Sequence, residues 1–178
     1  MPRNAIYEKL STDETHAIDH YNLGLALIAT KQKAEAIQRL RRAIALDPAC
    51  EPAFLALGLL LAETGDLNEA ARFLSAAVTL RPQKADPHKY LGMVELRRGA
   101  LDKAISNLLT ALAMSPNDAV ILSELGIAFM RQGDNRSALA YLTKALEKDP
   151  RDDEIRYYRE LVKREALMVE GRIMEKKR

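Results

Sequence analysis

His16 and His20 stand four residues apart, with Asp13 three residues before His16, so on a helix two imidazoles and a carboxylate share one face. That set suits a zinc-type ion, but a closed site needs a fourth ligand, and no second cluster of ligand residues occurs in the sequence. No metal is therefore expected. Cys50 is the single cysteine; it has no partner for an internal disulfide and reads as a small apolar residue at a helix junction. No glycine-rich phosphate loop, no Ser–His–Asp set and no paired carboxylates in an apolar setting can be picked out. The expectation is a non-enzyme without cofactors.

Charge points the same way. The 27 basic and 25 acidic residues leave a formal charge of +2, too little to draw nucleic acid or anionic lipid. Hydrophobic residues at 48% with seven prolines and eight glycines mark a folded chain, and 178 residues suit one architecture. The stretch from Met1 to Ser11 mixes Arg3, Glu8 and Lys9 into its apolar residues, and no apolar run of about 18 residues occurs. Neither a signal peptide nor a membrane span is readable, and a cytoplasmic location is the expectation, with an export signal still able to precede the sequence given.

The elements that position these residues follow from a period of 34, visible when segments beginning at Ala17, Glu51, Ala85 and Ala119 are aligned. Place seven holds Leu23, Leu57, Leu91 and Leu125, and place eight holds Gly24, Gly58, Gly92 and Gly126. Later places hold Ala36, Ala70, Ala104 and Ala138, then Leu40, Leu74, Leu108 and Leu142, then Ala43, Ala77, Ala111 and Ala145. Pro48, Pro82, Pro116 and Pro150 close the units. Apolar steps of three, four and seven give each unit two amphipathic helices, with small residues where the helices cross. Gly65, Gly99 and Gly133 suit a left-handed turn between the two helices, with Lys31 in the first unit, and Asp66 with Glu69 reads as a cap.

These residues at this spacing make the chain resemble the tetratricopeptide repeat family. The resemblance implies an all-α fold, a right-handed superhelical solenoid of antiparallel helix pairs. Residues 17–150 make four units, framed as 17–50, 51–84, 85–118 and 119–152. Residues 1–16 form an N-terminal segment and the start of the first helix, with 1–10 loosely held and Ser11 to Glu14 as a capping box. Residues 151–178 make a capping helix and basic tail, with Ile155, Tyr158, Val162, Ala166, Val169 and Ile173 on one face. Two departures fall in the third unit: His88 at place four, where His20 also stands as a packing residue, and Glu95 at place eleven, turned to water or paired with Arg98.

In this family the first helix of each unit lines the concave side, at places two, five, six, nine, twelve and thirteen. Carried over, place nine holds Leu25, Leu59, Met93 and Ile127, and place twelve holds Ile28, Ala62, Leu96 and Met130. Tyr21, Leu55 and Tyr90 extend this apolar stripe; Ala56 adds little, and Asn22 and Glu124 border it. Lys89, Arg97 and Arg131, with Asp86, Glu63 and Glu124, form a mixed rim that orients a bound segment. A chaperone-tail clamp is not matched: its Lys, Asn and Arg places hold Tyr21, Leu25, Ala56, Asp86 and Tyr90 in units one to three, and Leu55, Leu59, Tyr90, Val120 and Glu124 in units two to four. The stripe implies a partner protein with an apolar helix or extended segment, unless the chain's own termini fill it. Two alternatives remain: a secretion- or assembly-type chaperone holding an aggregation-prone client, and a self-assembling protein joined through the long last helix.

Overall fold

Each turn inside a helix pair reverses the chain through a single left-handed residue. Gly65, Gly99 and Gly133 have φ of 95°, 78° and 85°, as the sequence predicts, and Lys31 takes the same conformation at 62°. The hydrogen bonds of this helix ending recur four times: Gln32 N–H donates to the Leu27 carbonyl, Asp66 to Leu61, Ala100 to Glu95 and Asp134 to Phe129. Lysine at such a φ costs about 1 kcal/mol because its Cβ crowds the carbonyl.

A computed structural model describes the backbone of residues 3–176 and the side chains of 16–168. Among the described residues every regular element is an α-helix. The helices are α1 (Arg3–Ala29), α2 (Lys33–Leu46), α3 (Glu51–Thr64), α4 (Leu67–Leu80), α5 (Ala85–Arg97), α6 (Leu101–Met114), α7 (Ala119–Gln132), α8 (Asn135–Lys148) and α9 (Asp153–Lys176). The chain divides into two compact units, Met1–Pro82 and Gln83–Arg178. In the first, α1 pairs with α2 and α3 with α4, and α2 packs on α3. In the second, α5 pairs with α6 and α7 with α8; α6 packs on α7, and α9 lies against α8 and α7.

Inside every pair, place eight meets place twenty-four. A Cβ added at Gly24 would fall 2.9 Å from Leu40, at Gly58 2.7 Å from Leu74, at Gly92 2.7 Å from Leu108 and at Gly126 2.6 Å from Leu142. Those four leucines are fully buried. Each second helix then ends on its recurring alanine, whose carbonyl accepts from Asp47, Arg81, Ser115 or Asp149 N–H, and the proline that follows prevents continuation.

Three sequence expectations need correction. The first helix starts at Arg3, so Ser11 to Glu14 lie inside it and do not mark its beginning. Asp66 stands at the start of α4 without a capping side-chain bond, whereas Asp118 accepts from Val120 and Ile121 N–H and Asp134 from Ser137 N–H. Leu23 is 41% exposed while Leu57 and Leu125 are buried: place seven packs on the second helix of the pair before, and among the described residues the first pair has none. In line with the face read from the sequence, α9 packs Ile155 and Val162 into a cluster with Leu122, Ala138, Leu142 and Ala145, with Tyr158 against it; off that face Leu167 and Met168 stand open at 67% and 63%. The side chains of Val169 and Ile173 lie outside the described residues, as does residue 178 at the end of the basic tail.

Candidate functional site

In the first unit, α1 carries Tyr21, Leu25 and Ile28, and α3 carries Leu55, Ala56 and Leu59. Leu25 is 39% exposed and the other five are half-buried. Burial raises the pKa of the Tyr21 phenol, and the negative charges at Cys50 and Glu51 raise it further.

In the second unit, α5 carries Lys89, Tyr90 and Met93, all half-buried, with Arg97 exposed; α7 carries half-buried Ile127 and Met130, with Arg131 exposed. Leu96 departs from the expectation: it is buried at 3% in a cluster with Ala104 and Ala128. Leu101, Ile105 and Ile127 pack against the same cluster, and the Arg131 guanidinium donates to the Leu96 carbonyl at 3.1 Å. Ala62 is likewise buried in the first unit, so place twelve is core on α3 and α5 but half-buried on α1 and α7, at Ile28 and Met130. Met130 packs against the cluster that holds Ile155 and Val162, so α9 covers part of it.

Lys89 ties the second unit's first helices together. Its ammonium pairs with Asp86 at 3.0 Å and Asp118 at 3.2 Å, while Asp118 also caps α7. It lies 5.0 Å from the Tyr90 ring centroid. Desolvation works against its charge, but the two carboxylates outweigh this and hold its pKa above the usual lysine value. Glu95 is buried and paired with Arg98, whose Nη1 donates at 2.7 and 2.9 Å; this is the second of the two arrangements the sequence left open. His88 is buried with Nδ1 3.4 Å from Asn107 Oδ1, as a packing residue at place four requires. His16 is exposed and His20 half-buried; the Asp13 side chain lies outside the described residues.

Glu124 borders the stripe, half-buried on α7. Burial raises its carboxyl pKa, the Glu154 carboxylate on α9 raises it further, and Arg131 opposes both. The folded state thus favours the protonated form, so the chain gains stability as pH falls from neutral through the raised pKa towards the unfolded-state value. Glu124→Gln should raise the melting temperature at neutral pH, by about 2 °C. In paired thermal melts that gain should shrink as pH falls through the raised pKa and be gone by the ordinary carboxylate value.

One part of the surface escaped the sequence reading. Continuing the 34-residue frame past Pro150 puts Ile155 and Val162 of α9 at places three and ten, where Ile121 and Ala128 of α7 are buried in the same way. The helix is a fifth first helix, and places five and nine fall on Tyr157, 63% exposed, and half-buried Leu161. At places seven, eight and eleven stand Arg159, Glu160 and Lys163 instead of leucine, glycine and a large apolar residue. Glu160 pairs with Arg159 at 3.0 Å and Lys163 at 2.9 Å. That charge cluster hid the frame, because it occupies the columns that define the repeat.

A stack of helix pairs with glycine–leucine crossings and partly open apolar places on the first helices defines a repeat protein of the interaction-scaffold class. The family pattern of the tetratricopeptide-repeat C-terminal domain of cilia and flagella-associated protein 70 matches residues 5–170, and the chain belongs to that family. No match is found among curated proteins. A crystal structure of MamA is 26% identical over 83% of this chain and 86% of its own, with a TM-score of 0.73. A MamA fragment from Desulfovibrio magneticus RS-1 has a TM-score of 0.80 at 20% identity, covering 90% of this chain and 94% of its own. YrrB, described as a TPR protein with an unusual peptide-binding site, has a TM-score of 0.74 at 20% identity over 89% and 81%. The all-α repeat fold and the family expected from the sequence are thus shown. No described helix is long and apolar enough to cross a membrane.

Proposed function

We propose that the chain is a non-catalytic scaffold that holds an apolar helix or extended segment of a partner protein on its first helices. The carrying observation is that apolar side chains at places five, six and nine stay partly open to water in both units: Tyr21, Leu25, Leu55 and Leu59 in one, Tyr90, Met93 and Ile127 in the other. Their places twenty-four, by contrast, are fully buried leucines. Apolar area is left accessible in this way where something binds, and methionine adapts to varied shapes. The peptide-binding site named for YrrB supports the same use of the fold.

Selection of a random-peptide phage library on the immobilised chain tests the reading. Peptides rich in leucine, isoleucine and phenylalanine should emerge, and Leu59→Glu or Met93→Glu should each weaken the best of them by about thirtyfold. Circular dichroism and melting temperature should stay nearly unchanged. A large loss of stability in these variants would make the residues core and end the proposal, as would a selection that yields no peptide sensitive to either change.

A further inference from the structure

The second unit's first helices α5, α7 and α9 share one frame, so its apolar stripe runs from Met93 through Ile127 to Leu161 and Tyr157, places nine and five of that frame. Met93, Ile127 and Leu161 are half-buried and Tyr157 is exposed. Beside the stripe stand two carboxylates: Glu124 at place six of α7 and Glu154 at place two of α9, on helices that touch. Neither makes a hydrogen bond or ion pair with any described residue. Elsewhere in the same unit Asp118 and Asp86 are paired with Lys89, and Glu95 with Arg98. Arg131, the nearest cation in sequence on α7, donates to the Leu96 carbonyl and offsets only part of the burial and repulsion felt at Glu124.

We infer that α9 is part of the binding surface, and that the segment bound by the second unit is apolar with one basic residue, Lys or Arg, directed at Glu124 and Glu154. The inference rests on the scaffold reading and adds to it a helix and a charge. Two like charges held together beside an apolar strip repel each other until a cation arrives between them, so a basic side chain brings attraction where an acidic one meets repulsion. Tyr157, exposed and one turn after Glu154 on α9, adds an aromatic ring that a cation bound there can meet. An apolar segment without the basic residue leaves Glu124 partly desolvated and uncompensated, which disfavours it relative to the basic form.

The same phage selection decides the matter. Peptides held by the full chain should pair leucine or isoleucine with lysine or arginine, and their affinity should fall about tenfold in Glu154→Lys and in Glu124→Gln, and more steeply as salt is lowered for the former. Tyr157→Glu, at a site too exposed to disturb the fold, should weaken peptides that are sensitive to Met93→Glu, whereas Tyr157→Phe should not. Apolar peptides sensitive to Met93→Glu but without basic residues, or indifferent to Glu154→Lys and Tyr157→Glu, would overturn this inference while leaving the scaffold standing. Failure to obtain any peptide sensitive to Leu59→Glu or Met93→Glu would overturn both.

Discussion

Gly126→Val should lower the free energy of unfolding by about 3 kcal/mol, read from urea denaturation with an unchanged slope. An added Cβ at this position would stand 2.6 Å from Leu142 Cγ and 3.3 Å from the Ala138 carbonyl oxygen, so both a side chain and a backbone must give way. The gain in helix propensity on leaving glycine is only a few tenths of a kcal/mol for valine and cannot offset the clash. Leu142→Ala alone opens a cavity at a fully buried site and should cost about 2–5 kcal/mol. Combined, the two changes fill each other's defect, and the double variant should be more stable than the sum of the singles by about 1–3 kcal/mol. Strict additivity would mean that the crossing of α7 and α8 is not set by this contact.

The pair Glu95 and Arg98 should respond with opposite signs to loss of its two members. Arg98→Leu leaves a carboxylate at 6% exposure without its main partner and should cost about 1–3 kcal/mol. The lower part of the range for buried pairs applies, because the Arg98 side chain is itself 31% exposed. Glu95→Leu installs the residue that fills place eleven as Leu27 and Leu61, both buried, and leaves Arg98 able to reach water. That variant should be neutral or more stable by about 1 kcal/mol. Chemical denaturation of both variants checks it; a loss of similar size in each would show that the ion pair itself stabilises the third helix pair.

Much of this architecture was legible because the repeat states each requirement four times. Leucine at place twenty-four and glycine at place eight recur together, and they are the two halves of one contact. The turn glycines recur because a positive φ is needed, and even Lys31 complies. The legible part weakens wherever a requirement is met once. Ser11 to Glu14 have the composition of a cap, but capping is decided by where the backbone already departs from helix, and α1 continues to Arg3. The exposure of Leu23 follows from what precedes its helix and not from its own column. For the candidate surface, the columns name positions on the first helices, yet they do not tell that Leu96 is buried against Ala104 and Ala128 while Met93 and Ile127 beside it stay half-buried. Tyr157 and Leu161 were missed because Glu160 and its two basic partners replace the diagnostic residues of their unit.

That replacement has a consequence for how copies of the chain meet. A solenoid with a bare apolar end adds further modules without closing, and a non-closing contact of that kind grows into fibres. The α9 helix buries Ile155 and Val162 on the side it docks, and presents Arg159, Glu160 and Lys163 in the columns where an incoming helix would have to seat. A helix seating in those columns would strip water from three charges already satisfied by one another, a cost that the open Leu167 and Met168 beyond them would have to offset.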